Sequence, residues 1–279
     1  MGALSVFGVE GIGEVGRAAD LAGIITDVVT LEPFDVVVVT QKIVSKAEGA
    51  MVEVDPTDPL AHKPVVEAQS RRVLRRRGEL LISETRHGFV CANAGVDLSN
   101  VAQGWAALLP DDPDRSARRI RDAIAGRTGT PVAVVVSDTF GRPWRRGVTD
   151  VAIGSAGVRA VLDLRGTTDA YGRELAVTEV CIVDELAAAA DLVMGKASGI
   201  PVAVVRGAPR EWFEEPDAPG RGASVVGDVV RSPAEDLFRG RSRTDDHPKA
   251  VRATHQVAHS PVLSRESRAT DATFARQNR

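Results

Sequence analysis

The stretch Val132-Ala-Val-Val-Val-Ser-Asp138-Thr139-Phe-Gly141-Arg-Pro-Trp-Arg145-Arg146-Gly147 sets a carboxylate and a hydroxyl side by side behind an apolar run. Asp and Thr are hard oxygen donors of different charge, suited to Mg²⁺ or Mn²⁺. The arginines behind them can clamp phosphate oxygens, or simply lie solvated on a loop while the Asp caps a turn. A second stretch, Gly88-Phe-Val-Cys-Ala-Asn93-Ala-Gly95-Val-Asp97-Leu-Ser-Asn100, again leads from apolar residues into Gly, Asp and Asn. Asp97 and Asp138, each just past a strand, could converge on a pair of divalent cations; two unrelated Asx-turns would account for the same spacing. A third, Gln41-Lys42-Ile-Val-Ser45-Lys46-Ala-Glu48-Gly49, puts two lysines four residues apart beyond a strand end. That suits a triphosphate, or a solvated loop.

Other patterns are incomplete. Gly11-Ile-Gly13-Glu-Val-Gly16 matches the G-x-G-x-x-G of dinucleotide sites and is followed by a helical pattern (Leu21, Ile24, Ile25, Val28) and a strand. Such a site also wants an acid at the end of the second strand for the ribose hydroxyls, where this chain has Thr40-Gln41-Lys42. A nicotinamide-dependent oxidoreductase therefore lacks one of its parts, and a glycine-rich turn near phosphates is the alternative. Gly195-Lys196 lacks the upstream glycine and following Ser/Thr of a P-loop, and Ser155 in Ile-Gly-Ser-Ala-Gly is one residue out of the nucleophile-elbow pattern. Three of five histidines (His247, His255, His259) fall in the last forty residues, so a Ser-His-Asp triad would depend on His62 or His87. Arg71, Arg72, Arg75, Arg76 and Arg77 read as a solvated helix face, with a polyanionic substrate as the alternative.

The elements that must position these residues alternate. Apolar runs at residues 4–9, 36–40, 89–92, 132–136 and 201–205 predict buried strands. Between them lie helices expected from an Asp114 N-cap to a Gly126 stop, from near Thr178 to Gly195, and over residues 64–77. Interleaving of this kind predicts an α/β layered fold. With 279 residues, 43% hydrophobic, the chain can bury a sizeable core. A net charge of -3 and eleven aromatics argue against nucleic acid as a partner. Cys91 and Cys181 read as buried hydrophobes in a reducing compartment. Neither a signal peptide nor a bilayer-length apolar run is apparent, so no membrane partner and a cytoplasmic location are expected. Residues 241–279 are polar and aperiodic, which predicts a disordered tail after a domain spanning residues 1–240.

Taken together, residues 41–49, 93–100, 137–147, Asp169-Ala-Tyr-Gly-Arg-Glu-Leu175 and Asp184-Glu-Leu-Ala-Ala-Ala-Ala-Asp191 resemble the coenzyme F420-0:γ-glutamyl ligase family over about Val6 to Asp228. The resemblance implies a GTP-dependent amide ligase of the deazaflavin coenzyme pathway. GTP phosphorylates the terminal carboxylate of coenzyme F420-0, and L-glutamate displaces the phosphate. It implies Mg²⁺ or Mn²⁺ in a two-ion site, K⁺, a homodimer, and a family-specific α/β fold that is neither P-loop nor ATP-grasp. Residue by residue, Asp97, Asp138 and Thr139 match metal ligands, and Asn100 and Lys46 match nucleotide contacts. Ile12, Gly13, Glu14 and Val15 match a nucleotide loop, and Gly195, Lys196, Ala197, Ser198, Gly199 and Ile200 fall where another lies. Gln41 and Lys42 occupy positions held by small hydroxyl residues in relatives, and Gly13-Glu14 stands where Pro-Leu is usual. A non-catalytic GTP-binding module is the further alternative.

Overall fold

Four consecutive valines, Val36–Val39, have no polar face, so the strand they form must be covered on both sides. In the computed structural model, which describes residues 3–214 and 222–236, all four are fully buried, each worth roughly 1.5–3 kcal/mol relative to exposure. The elements run β1 (Ser5–Gly8), α1 (Leu21–Val28), β2 (Val36–Thr40), α2 (Gln41–Glu48), β3 (Met51–Glu53), α3 (Lys63–Gln69), β4 (Ser70–Arg77), β5 (Leu80–Thr85) and β6 (Val90–Ala92). They continue with β7 (Trp105–Ala107), α4 (Pro113–Thr128), β8 (Ala133–Gly141), β9 (Val148–Ala156), β10 (Leu162–Asp163), β11 (Glu179–Val180), α5 (Ile182–Met194) and β12 (Val202–Arg206). The class is mixed α/β with open sheets, as expected.

The main sheet has the order β1-β12-β2-β8-β9. β2 and β8 are parallel, while β1 with β12, β12 with β2 and β8 with β9 are antiparallel. α4 packs on β8 and β9, and α5 reaches all five strands. This topology sends several connections to one end of the sheet. Thr40 at the close of β2 lies opposite Ser137 of β8, and Thr40 N–H donates to the Pro201 carbonyl just before β12 at 2.9 Å. β1 runs antiparallel to β12, so its last residues and the loop beyond also leave at this end. A second, smaller core of Val66, Leu81, Ala94, Val96 and Ala106 sits under the sheets β4-β5-β6 and β3-β7.

Several expectations are corrected. The helix over residues 64–77 ends at Gln69, and Ser70–Arg77 is the edge strand β4 paired with β5. Arginine and leucine tolerate a helix well, but ladder pairing with β5 overrides that preference. The arginine cluster therefore coats an exposed edge strand, where charge discourages pairing with another chain. β8 does not end at Val136 but continues as a ribbon with β9, a strand the apolar pattern did not reveal. Residues near Thr178 join β11, and the helix starts at Ile182, closing at Gly195 as expected. The tail lies outside the described residues.

The N-cap of α4 is Asp112, which accepts from Arg115 N–H at 2.9 Å, with Pro113 in the first turn and Gly129 (φ +70°) at the end. Asp114 points inward instead. Its carboxylate accepts from Ser155 N–H (2.9 Å), Val225 N–H (2.9 Å) and Ser224 O–H (2.7 Å), tying β9 and the turn at residues 225–229 to the start of α4. Gly154 permits that approach, since a Cβ there would lie 2.3 Å from the Pro113 backbone. Asp114→Ala should lower stability by about 3 kcal/mol by orphaning buried donors, against about 1 kcal/mol for the exposed cap change Asp112→Ala. Urea unfolding midpoints of the two variants measure this; equal losses would contradict the inward role.

Candidate functional site

At that convergent end lies a cavity of about 730 Å³. Both aspartates from the distant segments, Asp97 and Asp138, line it. So do Ile12, Gly13, Glu14 and Val15 from the loop after β1, and Gln41, Lys42 and Lys46 from α2. Asn100, Thr139, Gly195, Lys196, Gly199 and Ile200 complete the expected residues found there. Ala197 and Ser198 do not line it; the Ser198 hydroxyl turns back to the Met194 carbonyl and closes the end of α5. Arg142, Arg145 and Arg146, which pattern alone placed close behind Asp138, sit at the exposed tip of the β8–β9 ribbon, away from the cavity wall. The G-x-G-x-x-G stretch is a loop whose next helix begins only at Leu21, and β12 lies between β1 and β2. It is therefore not a Rossmann turn. His62 and His87 also lie off the cavity, and Ser155 is fully buried in β9.

Asp97 closes an Asx-turn and faces the cavity as well, so the two sequence-level alternatives coexist. Its carboxylate accepts from Ser99 N–H at 2.7 Å and from the Lys42 ammonium at 2.6 Å. Lys42 also donates to the Ser99 carbonyl at 2.5 Å. The segment is anchored by paired hydrogen bonds between Asp97 and Ala107 of β7, and α2 is tied beside it by Ser45 O–H on the Leu108 carbonyl at 2.6 Å. One turn along α2, Lys46 pairs with Glu14 at 2.5 Å and so tethers the loop after β1; Glu14 is exposed, which makes that pair weak. Asn100 donates to the Lys196 carbonyl at 3.2 Å, joining two more loops of the rim. Gln41 accepts from Ser45, and its buried Nε2 has no hydrogen-bond partner.

Asp138 is treated differently. It makes no ion pair among the described residues, and burial pushes its carboxyl up to about 7. The neighbouring carboxylates of Asp97 and Asp150 add to that rise, while the Thr139 N–H and the charge of Lys196 work against it. Burial also opposes the charge of Asp97, but hydrogen bonds from Lys42 and Ser99 outweigh it and hold Asp97 below the usual range. Two acids of this cavity escaped sequence reasoning. Asp150 is buried on β9 and accepts from Ser137 O–H (2.8 Å) and Thr139 O–H (2.7 Å). Asp191, on α5, is raised by burial and by Asp150, with Lys196 opposing. Asp150 precedes the apolar run 151–153, a signal for a strand-borne acid; Asp191 closes one of the motifs quoted above. Cys91, near Asp138, and Cys181 are free thiols pushed up to about 12, chiefly by burial, and are inert as nucleophiles.

The wall thus carries five carboxylates against three lysines. Among the described residues no three His, Cys, Asp or Glu side chains close into a metal-holding group, so a cation here would need ligand oxygens besides the protein's own. Between 3.8, its ordinary value, and about 7, the folded Asp138 carboxyl keeps a proton that the unfolded chain has lost. Stability therefore falls as pH rises through that window, and the loss is complete above it. In chelator-containing buffer Asp138→Asn should melt higher than the parent chain at pH 8, on the order of 5 °C, the gain shrinking towards pH 5. Calorimetry across that range checks it, and an unchanged or lower melting temperature at pH 8 contradicts the uncompensated charge.

The family profile for F420-0:gamma-glutamyl ligase matches residues 11–207. A coenzyme F420:L-glutamate ligase from Methanothermobacter thermautotrophicus is 41% identical over 257 residues, 85% of this chain and 99% of that protein. A protein of the same name from Methanopyrus kandleri is 41% identical over 79% of this chain and 91% of its own length. The Methanocaldococcus jannaschii protein is 40% identical over 75% and 86%. No helix among the described residues is long and apolar enough to cross a membrane. With the matched span enclosing every segment that forms the cavity, the chain belongs to the F420-0:gamma-glutamyl ligase family.

Proposed function

We propose that this chain is a cytoplasmic, homodimeric ligase that joins L-glutamate to coenzyme F420-0 at the expense of GTP. The observation that carries the reading is the meeting of Asp97 and Asp138 in one cavity with three lysines and the two glycine-bearing loops. The relatives named for this activity support the choice of substrates. In the first step a carboxylate oxygen of F420-0 bonds to the γ-phosphorus, and the bond from that phosphorus to the β-bridging oxygen breaks, releasing GDP. In the second, the glutamate amine bonds to the acyl carbon, the bond from that carbon to the phosphate oxygen breaks, and phosphate leaves as the nitrogen gives up its extra proton to solvent.

The difficulty is charge, because a triphosphate and two carboxylate substrates must meet against mutual repulsion. Asp138 and Asp97 would hold Mg²⁺ or Mn²⁺ with Thr139, and the residues fit such ions. Burial makes the Asp138 carboxyl resist ionisation in the absence of an ion pair, a cost that a bound cation would relieve, and the donors are hard oxygens. Two protein carboxylates completed by phosphate oxygens is the usual Mg²⁺ arrangement, which agrees with the absence of a three-acid cage among the described residues. When bound, the ions would neutralise phosphate charge and polarise the γ-phosphate; K⁺ is expected alongside. Asp150 holds the Thr139 and Ser137 hydroxyls in place. Lys46 and Lys196 lie free to steady the phosphate oxygens once Glu14 is displaced, each contribution worth a few kcal/mol. The backbone and side chains of residues 12–15, Asn100, Gly195, Lys196, Gly199 and Ile200 would cradle the nucleotide. No protein nucleophile enters either step.

Asp138→Asn should reduce glutamate-dependent phosphate release by at least about a hundredfold while circular dichroism stays unchanged. The assay contains GTP, Mn²⁺, glutamate and F420-0. Parent-like turnover in the variant refutes the metal role. GTP binding without turnover by the parent chain would instead favour a binding module.

A further inference from the structure

We propose that Lys42 closes the Asp97 half of the cation site until an anionic ligand arrives; this deepens the ligase reading above and rests on it. Among the three cavity lysines, Lys42 has no task in that reading. Its ammonium has three protons to donate. They go to the Asp97 carboxylate at 2.6 Å, the Ser99 carbonyl at 2.5 Å and the Ser99 hydroxyl at 3.0 Å. All three acceptors are hard oxygens of one turn, a donor set that would equally suit a metal ion. The ammonium thus stands at Asp97 as a tethered monovalent cation.

The two halves of the site are in different states. Asp138 forms no ion pair among the described residues. Beside it, Thr139 gives its hydroxyl proton to Asp150 at 2.7 Å, which leaves the lone pairs of that hydroxyl oxygen for a cation. This half is open. On Asp97, one oxygen accepts Ser99 N–H at 2.7 Å, and the other accepts Lys42 at 2.6 Å and the Ser99 hydroxyl at 3.0 Å. A divalent ion ligated there would have to displace these donors or sit against a like charge. This half is shut.

Of the two partners, Lys42 is the one able to move. The backbone N–H and carbonyl of Asp97 are both paired with Ala107 of β7, at 3.0 and 2.9 Å. Lys42 is fixed only at its backbone, in the first turn of α2, and a flexible four-carbon stem carries its ammonium along the cavity wall. Five carboxylates outnumber three lysines on that wall, so in the free chain the ammonium stays with Asp97. A phosphate-bearing ligand offers it other oxygens of high charge. An order of loading follows. One divalent ion enters at Asp138 and Thr139 in the free chain, and a second reaches Asp97 only together with the nucleotide.

The test counts Mn²⁺ bound per chain, by paramagnetic resonance of the free ion, in the parent, Lys42→Met, Asp97→Asn and the K42M/D97N double variant. Without nucleotide the parent is expected to bind one ion and K42M two, the second about tenfold or more tighter than any second ion on the parent. D97N and the double variant should each bind one. With saturating guanylyl imidodiphosphate the parent should bind two ions and D97N one. Melting temperatures establish that each variant is folded, and Mn²⁺ should raise that of K42M more than that of the parent. Equal Mn²⁺ binding by the parent and K42M without nucleotide overturns the proposal. So does a gain in K42M that survives in K42M/D97N, which would trace it to loss of charge in general. Equal ion counts for the parent and D97N with the analogue present also overturn it, and this comparison decides the matter if K42M does not fold. Glutamate transfer by the parent is assayed separately. The expected ion counts in a chain that transfers no glutamate support the role of Lys42 and overturn the ligase reading. Transfer by a parent that binds two ions without nucleotide overturns the proposal alone.

Discussion

The parallel pairing of β2 with β8 is the constraint on which the site depends. Both strands are continuous apolar runs that find cover only in the centre of a sheet, and their register sets Thr40 opposite Ser137. From that shared end α2 departs with its two lysines, while β8 runs on with Asp138 and Thr139. The antiparallel strands on either side then deliver their own loops to the same edge. Slippage by one residue would turn the valines' neighbours inward and carry Asp138 to the opposite face.

Electrostatics divides the acids gathered there into two kinds. Asp97 is satisfied within the protein by Lys42 and Ser99, so its charge helps to hold the segment on α2. Asp138 forms no ion pair among the described residues, and burial together with the carboxylates of Asp97 and Asp150 outweighs the Thr139 N–H and Lys196, so it resists ionising. A folded chain that keeps such a group gives up stability at neutral pH, a common feature of sites that require a ligand charge to complete them. Asp150 accepts from two hydroxyls, those of Ser137 and Thr139, and so orients both.

Burial of polar groups elsewhere follows the same economy of partners. Asp114 serves four donors from two elements and fixes where α4 begins. Cys91 and Ser155 lie inside, and the half-buried Cys181 thiol is pushed up to about 12, so neither cysteine is a ready nucleophile. Among the described residues, the acids and lysines that can act together are thus concentrated at one end of one sheet.

Local pattern determined much of this. The central strands, the glycine at the end of α5, and the oxygen and lysine donors at Asp97, Asp138, Thr139, Lys42 and Lys46 are legible because apolar period and residue type are properties of short stretches. The β4 strand, the continuation of β8 and the strand β9 were not. Arginine-rich Ser70–Arg77 has no strand signal of its own, and only pairing with β5 makes it one. Asp150 and Asp191 acquire meaning from neighbours more than ten and forty residues away. The arginines at 142–146 look adjacent to Asp138 in sequence, yet a ribbon rising over 3 Å per residue takes them out of its reach. Which residues can do chemistry is written locally; which of them meet, and which charge is left without a partner, depends on strand register and on burial, and these exist only in the folded chain.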